Sequence, residues 1–196
     1  MAESAQHREF PTGSKSAAGI DAATSDTKPP SRPEPWLRGS LTDVPVLTRA
    51  VLHALALAEE DIDRWCAPLT DEECNARPSG IAPIAFHLRH IVRSADRLLT
   101  YADGGQLSPE QIAKLKTELE PSATKEELFE EFRAGIRSAA TRVRGFTPAQ
   151  FEAPRKVGKQ QLPTTVGSLL IHVADHTQRH VGQAITTAKI VAAARR

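Results

Sequence analysis

Residues 172–180, HVADHTQRH, set three histidines four apart: His172, His176 and His180. An α-helix turns about 100° per residue, so positions four apart stand about 40° from one another and stack along one face. With His176 placed at the origin, Leu169 falls at about 20°, Val173 at about 60°, and Val166 and Ala184 at about 80°. Those apolar residues mark the core-facing side, so the histidines lie on it or beside it. Buried imidazoles cost free energy unless each finds a partner. The chain must therefore be helical here and must bring polar groups, or an ion, into a helical core.

The rest of the sequence reads as helices with punctuation. SLTD at 40–43 has the form of a capping box, with Ser40 as N-cap and Asp43 reaching back. It predicts a helix running through VPVLTRAVLHALALAEEDIDRWCA and stopping before Pro68. A loop with Pro68, Asn75, Pro78 and Gly80 follows. The second helix starts near Ala82 and Pro83, with proline suited to a first turn, and ends at Gly104 and Gly105. SPEQ at 108–111 opens a short helix to about Leu119, and Thr124 with Glu127 opens the next long one. Residues 147–163 read as irregular, and the last helix begins at Thr164 or Thr165. Four long helices, one short helix and no convincing strand predict an all-α fold, a four-helix bundle. The connections between long helices are not minimal, so loop length does not fix the order around the core.

Five of the 14 prolines fall within residues 1–35, in a stretch rich in Ser, Ala, Thr, Asp and Lys. Such a composition buries too little apolar surface to offset the entropy of ordering it. The expected organisation is a disordered N-terminal tail over 1–35 and a folded domain over 36–196. A formal net charge of +1 and 5% aromatic residues argue against a nucleic-acid partner. No window approaches the roughly 18 apolar residues of a membrane span, and the first residues lack a secretory apolar core. The expectation is a cytoplasmic protein with no membrane partner. Cys66 and Cys74 match neither a disulfide framework nor a zinc spacing and read as reduced structural residues.

Of the seven histidines, His7 lies in the tail, His53 on the first predicted helix, and His87 and His90 on the second. Imidazole is the commonest metal-ligating side chain, and an i, i+4 pair presents two nitrogens to one ion. A third ligand from a facing helix would complete a three-histidine site with open positions, of the kind built in bundle cores. On the second helix the apolar stripe centres about 120° from His90, and His87 falls at about 60°. Phase alone therefore favours His87 as the inward residue, with His90 at the margin.

The pairing of HIVRSADRLL with DHTQRHVGQ resembles the DinB family of metal-binding four-helix bundles, over about residues 40–190. His90-Ile91 followed by Asp96 fits the family's first element better than His87-Leu88 does. His176 and His180 with Gly182-Gln183 fit the second. The resemblance nominates His90, His176 and His180 as metal ligands, against the phase reading of the second helix. It implies a divalent ion, and zinc or nickel suits imidazole ligands. It also implies homodimers and metal-dependent enzymes, including transferases that use low-molecular-weight thiols such as mycothiol, bacillithiol or glutathione. Two functions follow as expectations. One is a metal-dependent thiol S-transferase or hydrolase acting on a small molecule. The other is a non-catalytic metal-binding bundle with a structural, sensing or stress-related role.

No second catalytic group is evident. Arg89, Arg93, Arg97 and Arg179 read either as a grip for an anionic thiol or as a solvated basic face. Asp96 or Asp175 is a candidate to orient a ligand histidine, and Gln183 to contact bound water. Ile171, Val181 and Ile185 give the last helix a second apolar side, which predicts packing against two neighbours or a dimer.

Overall fold

The computed structural model describes residues 32–120 and 123–195. The predicted tail lies, for residues 1–31, outside the described residues. Within the unit Pro33–Arg196 the described residues form six α-helices and one antiparallel hairpin: α1 (Val46–Cys66), α2 (Asp71–Asn75), α3 (Ile84–Ala102), α4 (Pro109–Lys116), α5 (Lys125–Arg144), β1 (Pro154–Val157), β2 (Leu162–Thr165) and α6 (Val166–Ala193). The four long helices form an all-α bundle. α6 packs against both α1 and α3, and α5 closes the ring by packing against the same two. That cyclic order, α1–α6–α3–α5, is the part that loop length left open.

Three helix starts follow from local chemistry. Ser108 with Gln111 and Thr124 with Glu127 form reciprocal capping boxes at α4 and α5. The Thr165 side chain accepts from Ser168 N–H at the start of α6. The first helix departs from expectation. SLTD does not cap it; α1 begins at Val46 after Pro45, and Leu41 has φ 60°. Proline lacks the N–H a helix needs and pushes the preceding residue out of the helical region, which ends any helix entering from Ser40. Ser40 Oγ instead stands 3.3 Å from His53 Nε2.

Two further elements were not expected. Residues 71–75 form a short helix, because Thr70 and Glu73 make a capping box in what reads as a loop. Within the segment expected to be irregular, residues 154–165 form a hairpin, with Pro154 opposite Thr165 and Val157 opposite Leu162. A two-stranded ribbon is all edge, so Pro154 and Pro163 cost it little. Its loop closes through left-handed backbone at Gly158 (φ 69°) and Gln161 (φ 53°). Arg155 Nε donates to Ala102 O at 2.7 Å and ties the hairpin to the end of α3.

The core is apolar on all four long helices, with Leu55, Ile62, Leu88, Ile91, Leu99, Phe132, Val143 and Leu170 fully buried. α3 and α5 approach closely at one point. A β-carbon on Gly135 would stand 2.3 Å from Val92 Cβ and 2.6 Å from its Cγ1. The second apolar side of α6 is explained by its two neighbours: Val181 is buried and Ile185 packs on the core, while Ile171 is 57% exposed. Among the described residues no helix is long and apolar enough to cross a membrane.

Candidate metal centre

Histidines from α3 and α6 meet across the interface between those helices. His90 Nε2 lies 3.2 Å from His176 Nε2. The His180 ring stands 4.5 Å from that of His90 and 4.6 Å from that of His176, centroid to centroid. One nitrogen from each of His90, His176 and His180 lies within 4.8 Å of the others, a grouping compatible with a divalent ion. The four-residue step on α6 supplies two of these rings and α3 supplies the third.

His87 and His90 are both drawn in, in different ways. His87 is the more buried, at 4% exposure, and its Nδ1 lies 3.0 Å from His180 Nδ1. The phase argument therefore located the most deeply buried histidine of α3. The histidine at the stripe's margin is the one that joins the cluster. Phe86 stacks on His90, with centroids 5.0 Å apart and planes 20° from parallel, and meets His87 edge-on. His172 stays outside: its side chain is about half exposed, with Nδ1 3.7 Å from the Asp175 carboxylate. His53 is on α1 beside Ser40, and His7 lies outside the described residues.

The residue that sequence reasoning missed is Glu118, in the turn after α4. It is 4% exposed, and its Oε2 lies 2.6 Å from His90 Nδ1. Arg97 Nη1 donates to its other oxygen at 2.8 Å. A carboxylate accepts, so His90 Nδ1 carries the proton and its Nε2 presents a lone pair towards His176. Neither Asp96 nor Asp175 plays this part. Asp96 accepts from Arg142 and Gln111, and Asp175 pairs with Arg179.

The arginines of α3 explain how a loop carboxylate comes to be buried. Arg89, Arg93 and Arg97 recur every four residues on one face and grip the chain around residue 118. Arg89 donates to Glu120 O (2.7 Å), Arg93 to Lys114 O (3.0 Å) and Thr117 Oγ1 (3.1 Å), and Arg97 to Glu118 itself. Cations at the end of α4 also suit its dipole. These three arginines are largely buried clamps on this turn, not a solvated face. The only signal in the sequence was their four-residue spacing, which announces an acceptor-rich neighbour without naming it.

Electrostatics favour neutral imidazoles at His87, His176 and His180. Burial, then the neighbouring histidines, push His87 down to about 4. Burial, then His180, His90 and His172, with Arg179 adding a little, do the same for His176, to about 4. For His180 burial, His90 and Arg179 outweigh the opposing Glu118 and give about 4. Burial alone would raise the Glu118 carboxyl, but hydrogen bonds from His90 and Arg97 overcome it and hold the group below its ordinary value. Neutral imidazoles beside a fixed carboxylate form the donor set a divalent cation requires. Two Nε2 atoms 3.2 Å apart repel unless a proton or a cation lies between them. The residues present therefore fit the group.

Residues 54–184 match the family model described as the DinB superfamily. A crystal structure of the conserved protein of locus from Enterococcus faecalis is similar in fold. It has 18% sequence identity and a TM-score of 0.59, covering 74% of this chain and 97% of that one. No curated protein is significantly similar to the sequence.

Proposed function

The chain belongs to the DinB superfamily, and from that premise we propose that it is a metal-dependent enzyme, of the thiol S-transferase or hydrolase type, whose divalent ion is held by His90, His176 and His180. The observation that carries the reading is the pair of facing Nε2 atoms on α3 and α6, with the outer nitrogen of His90 fixed on Glu118. Zinc or nickel suits this all-imidazole set. A bound divalent ion supplies Lewis acidity, which lowers the pKa of a water or thiol brought to it.

The chain's own residues do the positioning. Glu118, held by Arg97, fixes the tautomer and direction of His90. His87 Nδ1 lies 3.0 Å from His180 Nδ1, and with His180 as the donor of that hydrogen bond its Nε2 is the ligating atom. Phe86 covers the face of His90. A cavity of about 400 Å³ lined by Ile81, Ala82, His87, Arg179, Gln183 and Thr186 opens beside these rings and gives a small substrate room. The same reading has the protein work in the cytoplasm, as a homodimer, on a small molecule or low-molecular-weight thiol and not on nucleic acid.

A second reading, a non-catalytic metal-binding bundle with a structural, sensing or stress-related role, is supported by one observation. Of Arg89, Arg93, Arg97 and Arg179, the one that lines the cavity beside the histidines is Arg179, and it is paired with Asp175, so a thiol cofactor's carboxylates meet no uncommitted arginine there. Metal analysis of protein purified without chelator tests the premise of both. About one divalent ion per chain is expected, falling to near zero in His176→Ala; an unchanged content would sink both readings. Turnover of an electrophilic reporter such as monochlorobimane across a thiol panel then separates them. Metal-dependent turnover lost in His180→Ala supports the enzyme, and bound metal with no turnover supports the second reading.

A further inference from the structure

Away from the histidines, α3, α4 and α5 line a half-open cleft of about 360 Å³, at the lower end of the roughly 300–1,000 Å³ of small-molecule sites. Its walls include Val92 and Leu99 of α3 and Gly135 and Ala139 of α5, all apolar or small. Four cations line it, Arg93, Arg97, Lys114 and Arg142, against two carboxylates, Asp96 and Glu131. Both carboxylates are already committed. Glu131 takes a bidentate pair from Arg93 at 2.7 and 3.1 Å, and Asp96 accepts from Arg142 at 2.9 Å and Gln111 at 2.7 Å.

The cations are not all spent. Arg97 uses one nitrogen, Nη1, on Glu118, and its Nε and Nη2 make no hydrogen bond among the described residues. Lys114 Nζ likewise has no protein acceptor among them. Arg97 is largely buried with two nitrogens unused, and Lys114 stands exposed at the mouth, so an anion entering the cleft meets a half-desolvated guanidinium that water serves poorly.

We propose that this cavity binds a small organic anion, a carboxylate or phosphate monoester on a short apolar body. Arg97 and Lys114 hold the charged head, and Ala134 and Ser138, the exposed small residues of the α5 wall, leave room for the body. The site is linked to the histidines, because Arg97 is also the residue that holds Glu118 on His90. An anion drawing on Arg97 leaves more of the Glu118 charge for His90, and its own charge attracts a cation nearby. Occupancy therefore tightens metal binding. This second half rests on the metal reading given above; the first half does not.

Amide chemical shifts of the full chain, titrated with sodium hexanoate and with hexyl phosphate against sodium chloride at matched ionic strength, test the site. Saturable shifts are expected in α3, α4 and α5 around residues 92–99, 111–117 and 131–142. Lys114→Ala should weaken binding about tenfold, the ordinary worth of a hydrogen bond to a charged group. Ser138→Trp, at an exposed position on the cavity wall, should abolish saturation. The tighter of the two probes identifies the head group. Shifts that rise linearly, match those of chloride and ignore both variants would overturn the site in favour of a solvent-filled cleft. Inorganic phosphate binding as tightly as hexyl phosphate would overturn the apolar half of the ligand class. Zinc affinity measured at saturating hexanoate should rise about fivefold or more, the low end of ordinary coupling. No change while hexanoate stays bound breaks the link, whereas absence of zinc binding in both conditions breaks the metal reading and leaves the anion site standing.

Discussion

The protein buries two groups of soft, metal-capable side chains, and burial acts on them in opposite senses. Cys66 closes α1 and Cys74 sits in α2, both fully buried as free thiols. Burial, helped by the neighbouring Cys74, pushes Cys66 up to about 12, and burial pushes Cys74 up to about 11. His87, His176 and His180 are pushed down to about 4, with burial again the largest cause. Desolvation penalises whichever form is charged. For a thiol the charged form is the nucleophile and the ligand, so burial disables it. For an imidazole the neutral form is the ligand, so burial prepares it. Two regions with one physical cause thus come out inert at the cysteines and receptive at the histidines.

The largest test of that contrast is chemical. Raising a thiol two to three units above its ordinary value cuts the thiolate fraction near neutral pH by about 100-fold or more. Alkylation of native protein by iodoacetamide should be slower than that of urea-unfolded protein by at least that factor at both Cys66 and Cys74. Equal rates would erase the distinction between the regions. A smaller effect is expected at the carboxylate that sets the histidines apart. Glu118→Gln keeps the shape but removes the charge that holds the His90 proton, and zinc affinity, read by competition with a chromogenic chelator, should fall about 10- to 100-fold. An unchanged affinity would mean the histidines need no carboxylate.

The smallest effect is in stability, and its sign differs between the regions. In metal-free protein the three histidines hold protons less tightly than in the unfolded chain. Stability from this source is present above pH 6.5 and lost as pH falls through about 4. The thiols hold protons more tightly when folded, so their contribution is present below pH 9 and lost as pH rises through 11 to 12. Urea midpoints should slope upward from pH 4 to 6.5. The alkaline decline should shrink in the Cys66→Ala, Cys74→Ala double variant. A flat acid limb would place the histidines in water.

What the sequence made legible is what local chemistry decides. The starts at Ser108, Thr124 and Thr165 are visible because each cap and its partner lie three residues apart. The His176–His180 step is visible because a helix repeats at that interval. The long helices and the all-α bundle follow from the same periodicity. The start of α1 is misread because SLTD satisfies the pattern of a cap while Pro45 vetoes the helix behind it. The hairpin escapes notice because strands of four residues carry too few alternations to register. Glu118 lies 28 residues from His90 and is brought there by three arginines acting on a turn, a tertiary event whose one trace in the sequence is the four-residue spacing of those arginines. The order of helices in the ring is likewise a tertiary matter.

Gly135 gives α3 its seat. Val92 rests against the bare backbone of α5 there, within a distance no β-carbon tolerates, and on another side the same helix carries His87 and His90 towards α6. The missing side chain works as a shim of zero thickness. Adding even a methyl group would displace α3 towards its opposite neighbour, and the spacing of imidazoles across the bundle would record the displacement. The tolerance of the histidine cluster is therefore set in part on α5, a helix that contributes no histidine to it.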